Sequence, residues 1–302
     1  VDASAAGAEE WQDVRMTTNS NPSFLRPTPE EAFATYEALV AANREQVERQ
    51  RELQPPSDGD FWADRAPRFR PGEMDAPEAD ALLALAQPAD TWMDIGAGGG
   101  RFAIPLAKTV RRVVAVEPSP AMRQVMAESA AASGVTNIEA IEMRWPPPPS
   151  RAPEPADGTL AANVIYDAHD LREFLEAMEA ATRRVCVVIT SDRAPSTPDA
   201  AIWEGLYGEP LHALPGLREF VAVLGALGRR YDVRTYPVAP PPPMNLDRAV
   251  EESRWRYWIG RGTEREATLR ELLRARYSQA DGMLRLPPRR NYSAAVWWEP
   301  AR

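Results

Sequence analysis

Between residues 77 and 191, short Val/Ile-rich runs alternate with helical stretches, and this alternation constrains the chain more than any other feature. Strands are predicted at 91–95, 112–116, 137–142, 159–165 and 184–190, with helices at 78–86, 101–109, 119–132 and 170–182, the last capped by Asp170. Brief, continuously apolar strands suit a parallel sheet covered on both faces. Joined by helices, they predict a doubly wound α/β sheet whose ligands lie at the carboxyl ends of the strands. The rhythm loosens after Ser191, through the scattered aromatics and prolines of 193–216. It resumes as a helix at 217–227, a strand at 231–238, helices at 246–258 and 263–277, and a closing strand at 291–299. Thr263 and Glu266 carry the spacing of a capping box for the second of those helices.

Four regions follow. Residues 1–26 show no sustained period and read as an arm; 27–76 form an N-terminal helical lid or packing region. Residues 77–238 and 290–302 supply the cofactor-binding sheet, and 239–289 a helical insertion before the last strand. The N-terminal helix opens at Thr28-Pro29-Glu30-Glu31, where Thr28 and Glu31 make a capping box and Pro29 suits the first helical position. Phe33, Tyr36, Val40 and Val47 then recur at helical spacing, as in a packing element or a homodimer face. Proline tetrads at 146–149 and 240–243 end strands and hold the following connections extended.

Composition removes several functions. The single cysteine, Cys186, excludes a disulfide framework and a cysteine-cluster metal site, and two histidines, His169 and His212, exclude a multi-histidine centre. No apolar stretch approaches a membrane span, and the first residues lack the layout of a secretion signal, so a cytoplasmic protein is expected. A formal net charge of −9 argues against nucleic acid as a general partner. The charge is uneven, since residues 246–302 hold 12 Arg against 8 Asp/Glu. Such a surplus is either a solvated face or an attractor for an anionic substrate.

The chemistry is concentrated in Asp94-Ile95-Gly96-Ala97-Gly98-Gly99-Gly100-Arg101, where the first strand passes into a helix. Backbone N–H groups at such a turn are expected to face a ligand, and glycine allows its close approach. Glu117 ends the next strand, where an acid can accept both hydrogen bonds of a ribose diol. A nucleoside cofactor is therefore expected. A nicotinamide dinucleotide fits poorly, because Arg101 stands where its fingerprint needs a small residue. Asp94 would also repel a pyrophosphate and attract an ammonium or sulfonium.

These residues, with Ala115-Val116-Glu117-Pro118-Ser119 after them, resemble the first two motifs of the class I S-adenosylmethionine-dependent methyltransferases of Rossmann-like, small-molecule type. Looser likenesses continue in 137–145 and in Ala162-Asn163-Val164-Ile165-Tyr166-Asp167, over roughly 77–238 plus the last strand. The resemblance implies a seven-stranded, mostly parallel sheet completed by an antiparallel final pair. It implies methyl transfer from S-adenosyl-L-methionine to a small-molecule acceptor by in-line displacement. Asp94 would meet the methionyl amino group, and Gly96, Ala97 and Gly98 would line the donor. Glu117 would hold the ribose, Pro118 and Met122 would pack by the adenine, and Arg144 and Trp145 would border its other side. Asn163 would border the methyl donor, at a position where the family often carries His.

A sulfonium carries its own leaving group, so a base is needed only where the acceptor must lose a proton. Tyr166, Asp167, His169 and His212 are the candidates, with His169 equally an exposed residue at the start of a helix. The aromatics Trp203, Tyr207, Trp255, Tyr257 and Trp258 are either an acceptor roof or core. A protein that binds the donor without catalysis and acts through a partner, and an NAD(P)-dependent oxidoreductase, are the other classes these residues admit.

Overall fold

The computed structural model describes residues 26–53, 60–63, 65–72, 77–279 and 281–301, so nearly all of the arm assigned to 1–26 lies outside the described residues. Helix α1 (Pro29–Gln50) begins with the expected capping box, Thr28 and Glu31 bonding each other's backbone N–H. Helix α2 (Ala79–Leu85) precedes strand β1 (Thr91–Ile95), then come α3 (Ala103–Ala107), β2 (Arg112–Val116), α4 (Pro120–Ala132) and β3 (Ile138–Ile141). The second half runs β4 (Ala156–Ala162), α5 (Leu171–Ala180), β5 (Thr182–Ser191), α6 (Ala200–Tyr207), α7 (Leu217–Ala226) and β6 (Tyr231–Pro237). Helices α8 (Leu246–Arg254) and α9 (Glu264–Tyr277) and strand β7 (Tyr292–Trp298) complete it.

The seven strands lie in the order β3-β2-β1-β4-β5-β7-β6, and β7 alone runs antiparallel to its neighbours. From β1 the chain winds outward through β2 to β3, then returns to place β4 on the other side of β1. The order therefore reverses between β1 and β4, which opens a crevice at their carboxyl ends. Phe33 and Tyr36 of α1, Phe174 of α5 and Phe220 of α7 cover one face of the sheet. Leu82 of α2, Leu106 of α3 and Met126 of α4 cover the other. The apolar side of α1 is thus spent within this chain, and Tyr36 fixes it by donating to the Ile165 carbonyl at 2.8 Å.

Gly158 of β4 lies opposite Trp92 of β1, where a Cβ would stand 2.6 Å from the buried indole. Neither a central strand nor a fully buried ring can yield that space cheaply. Gly158→Ala is expected to cost about 2–3 kcal/mol by overpacking, read as a lowered denaturant midpoint with an unchanged slope.

Three local expectations need correction. The strand predicted at 159–165 is observed at 156–162, because Asn163 leaves the sheet with φ 58° while its N–H still donates to Ile189 O at 2.8 Å. The helix predicted at 101–109 shrinks to Ala103–Ala107, the glycine turn running on through Arg101 and Phe102. At Thr263 only half a capping box forms: its hydroxyl accepts from Glu266 N–H, but Glu266 turns to the Gly262 N–H instead. Helix α6 was not anticipated; Asp199 caps it through the N–H groups of Ala201 and Ile202, and left-handed Gly208 ends it. Its Ile202 and Trp203 join Tyr257, Leu269 and Leu273 in a separate core under α8 and α9. Among the described residues no helix is long and apolar enough to cross a membrane.

Candidate functional site

Strand β1 delivers Asp94 to the crevice by its period of two, since Trp92 and Asp94 share a face while Met93 and Ile95 enter the opposite core. Asp94 is only 2% exposed, and its Oδ1 has no hydrogen-bond partner. Burial, reinforced by the nearby Glu117 charge, pushes its carboxyl up to about 7, against one lowering contact from the Ala103 N–H. A buried carboxylate without a cation is costly, so a positively charged group placed beside Asp94 would be stabilised there.

The glycine loop corrects one expectation about N–H groups. Gly96 and Ala97 both donate to Val116 O, at 2.8 and 3.1 Å, and Gly98 donates to Glu117 Oε2 at 2.8 Å. Those three N–H groups are satisfied within the protein, so the turn presents carboxylates rather than an anion cradle. Gly98, at φ 54°, would carry a Cβ with nothing within 4 Å, so the space beside it is open. Gly99 differs: a Cβ there would stand 2.4 Å from the Phe69 carbonyl oxygen, so the backbone of 65–72 closes directly over the turn.

Glu117, at the end of β2, bridges the glycine loop to the start of α4. Its Oε1 accepts from Ser119 N–H at 2.8 Å while Oε2 holds Gly98. Burial is the largest influence on this carboxyl and raises it, against those two N–H groups and Arg123. Ser119 caps α4 by accepting from Met122 N–H, and its hydroxyl donates to Asp60 at 2.9 Å. Residues 60–63 and 65–72 thus form a strap over the β2–α4 corner, with Ala66 packed on Met122 and Val125.

The remaining sequence-derived residues are distributed as follows. Pro118 borders Glu117 and is half-buried, whereas Met122 is buried in the packing under the strap. Arg144 is exposed, and Trp145 packs onto the main core with its indole N–H donating to Phe174 O at 3.2 Å. Asn163 lies after β4, its Oδ1 accepting from the Tyr166 hydroxyl at 3.3 Å and from Arg290 at 3.4 Å. Burial raises the Tyr166 phenol, so it keeps its proton. His169 is exposed against Arg44 of α1. His212 is also exposed, its backbone held by Gln46 and Asn43. Cys186 is buried in β5, its thiol pushed up to about 12 by burial.

Arg290 was not anticipated. It reaches Ser191 Oγ at 3.2 Å as well as Asn163, and so stands at the carboxyl ends of β4 and β5 beside the crevice. Its signal in the sequence was only its place just before the last strand.

Residues 93–184 match the family model described as a methyltransferase domain. No curated protein matches the sequence. Among solved structures, the YcgJ protein from Bacillus subtilis is 14% identical with a TM-score of 0.52, over 74% of this chain and 98% of that one. A protein from Bacillus halodurans C-125, provisionally named a methyltransferase, is 12% identical with a TM-score of 0.51, over 75% and 100%. Both likenesses concern the fold.

Proposed function

We propose that this chain, which matches a methyltransferase domain over residues 93–184 and has the seven-stranded fold of its structural neighbours, transfers a methyl group from S-adenosylmethionine to a small-molecule acceptor. The observation that carries the cofactor is the pair of carboxylates at the glycine turn: Asp94 buried with an unpartnered oxygen, and Glu117 holding Gly98. A pyrophosphate would need the N–H groups that this turn has already spent. A nucleoside bearing an ammonium suits it, and Asp94 takes that ammonium while Glu117 keeps lone pairs for a ribose diol.

When bound, S-adenosylmethionine supplies both the methyl group and its leaving group. The protein then has to position the acceptor and exclude water. Gly96, Ala97 and Gly98 line the donor, Pro118 and the strap over Met122 enclose one side of the adenine, and Arg144 and Trp145 border the other. Asn163 flanks the transfer position, oriented by the Tyr166 hydroxyl and Arg290. Neither Tyr166, which keeps its proton, nor the exposed His169 and His212 is assigned a proton-abstracting role.

Calorimetry of the full chain against S-adenosylhomocysteine and NADPH tests the cofactor. Saturable binding of the first and none of the second is expected. Binding of NADPH alone would overturn the assignment.

A further inference from the structure

Three arginines from two separated segments share one neighbourhood: Arg256 after α8 and Arg289 both reach Glu252, and Arg290 follows Arg289 just before β7. Arg256 is 8% exposed. Its Nη1 donates to the Glu252 carbonyl at 2.9 Å, but its Nε has no hydrogen-bond partner. Burial, then the charge of Arg289, pushes its guanidinium down to about 9, against the opposing influences of Tyr257 and Glu252. Arg289 is held below its ordinary value by burial and by Arg290 and Arg68, against the opposing charge of Glu252. Among the described residues, Glu252 is the one carboxylate paired with this group, at 3.3 Å from Arg289, and it is shared with Arg248. The nearby Asp192 carboxylate accepts from the backbone and side chain of Asn291.

Gathering cations around a buried guanidinium opposes folding unless an anion enters, and arginine's planar fork suits a carboxylate or phosphate. The group also adjoins an aromatic wall. Arg65 and Arg256 each lie over the Trp255 ring, at 5.2 and 4.5 Å, and Phe61 packs 6.0 Å from Trp258. Arg290, the residue after Arg289, reaches Asn163 and Ser191 at the carboxyl ends of β4 and β5.

Resting on the methyltransferase assignment above, we propose that Arg256, Arg289 and Arg290 form the acceptor subsite and bind a carboxylate or phosphate group carried on a flat apolar body. The arginine surplus of residues 246–302 thereby gains a location and a use.

The test titrates the full chain, with and without saturating S-adenosylhomocysteine, against benzoate, phenyl phosphate and uncharged benzamide, followed by calorimetry and tryptophan fluorescence. At least one anion should bind at least tenfold more tightly than benzamide, and the tighter of the two identifies the group recognised. Arg256→Gln should weaken that anion at least tenfold and leave S-adenosylhomocysteine affinity within twofold. Arg289→Gln, at a more exposed position, should do the same and serves if the buried variant fails to fold. Equal binding of benzamide and benzoate, no anion binding, or unchanged anion affinity in both variants would overturn the proposal. Parallel loss of S-adenosylhomocysteine and anion would also overturn it, by assigning the cluster to the donor. Arginine-dependent anion binding by a wild-type chain that ignores S-adenosylhomocysteine would remove the methyltransferase assignment, and the acceptor role with it, while leaving an anion site.

Discussion

Asp94→Asn should lower S-adenosylhomocysteine affinity about 100-fold and, at pH 8, raise the melting temperature of the ligand-free protein. Both effects follow from one carboxylate that is buried before its partner arrives. A charged hydrogen bond to the ligand's ammonium is worth roughly 1.5–3 kcal/mol, and about 2.7 kcal/mol is a hundredfold in affinity. Stability moves the other way. The folded protein holds the Asp94 proton up to about pH 7 whereas an ordinary aspartate releases it near 3.8. The folded state therefore binds more protons across that interval, and stability contributed by this group falls as pH rises from 3.8 to 7 and stays low above. Three units correspond to about 4 kcal/mol at most, so relief on the order of 2–4 kcal/mol, or about 5 °C or more, is expected from asparagine at pH 8. Binding supplies a further sign. Wild-type affinity should be flat above pH 7 and fall up to tenfold per unit below it, as the proton has to leave before the ammonium enters. The variant should lose that slope. Unchanged affinity in the variant, or a wild-type affinity that improves toward pH 5, would remove Asp94 from the site.

How much of this was readable in advance depends on whether the signal was local. Strand β2 is found at its predicted bounds because Val113, Val114 and Val116 form a closed apolar run behind Arg111 and Arg112. Asp94, the glycines and Glu117 were legible for a similar reason: the strand-turn-helix unit fixes their separation, and β1 and β2 pair in register. Strand β4 was misplaced because Asn163, a residue type that tolerates the left-handed conformation it adopts here, was read as part of the apolar run. Helix α6 escaped notice among prolines and aromatics, although Asp199 and Gly208 mark its two ends. Least legible were the groups assembled from distant segments. Nothing local to Arg256 or Arg289 shows that they meet at Glu252, and nothing local to Phe69 shows that its carbonyl will roof Gly99. The charge surplus was visible, but its convergence was not.

Glu117→Ala should separate the two halves of the donor site when adenosine is compared with S-adenosylhomocysteine. Adenosine keeps the ribose and base and lacks the ammonium. If Glu117 holds the ribose diol, the variant loses both ligands by a similar factor, about 100-fold for two charge-assisted hydrogen bonds weakened by water. Asp94→Asn should spare adenosine within a few-fold while losing S-adenosylhomocysteine. The Glu117 variant also has a structural signature that Asp94→Asn lacks. Its carboxylate is the link between the Gly98 and Ser119 N–H groups, and removing it frees both donors at once. Amide exchange at Gly98 and Ser119 should then accelerate, with the core strands unaffected, because only the turn and the α4 corner lose an acceptor. Gln at 117 is an intermediate case: its single carbonyl can serve one of the two N–H groups while its amide faces the other. Exchange should slow at one position and stay fast at the other. Equal adenosine affinity in wild type and Glu117→Ala, despite faster exchange, would make Glu117 a clamp on the glycine loop and place the ribose elsewhere.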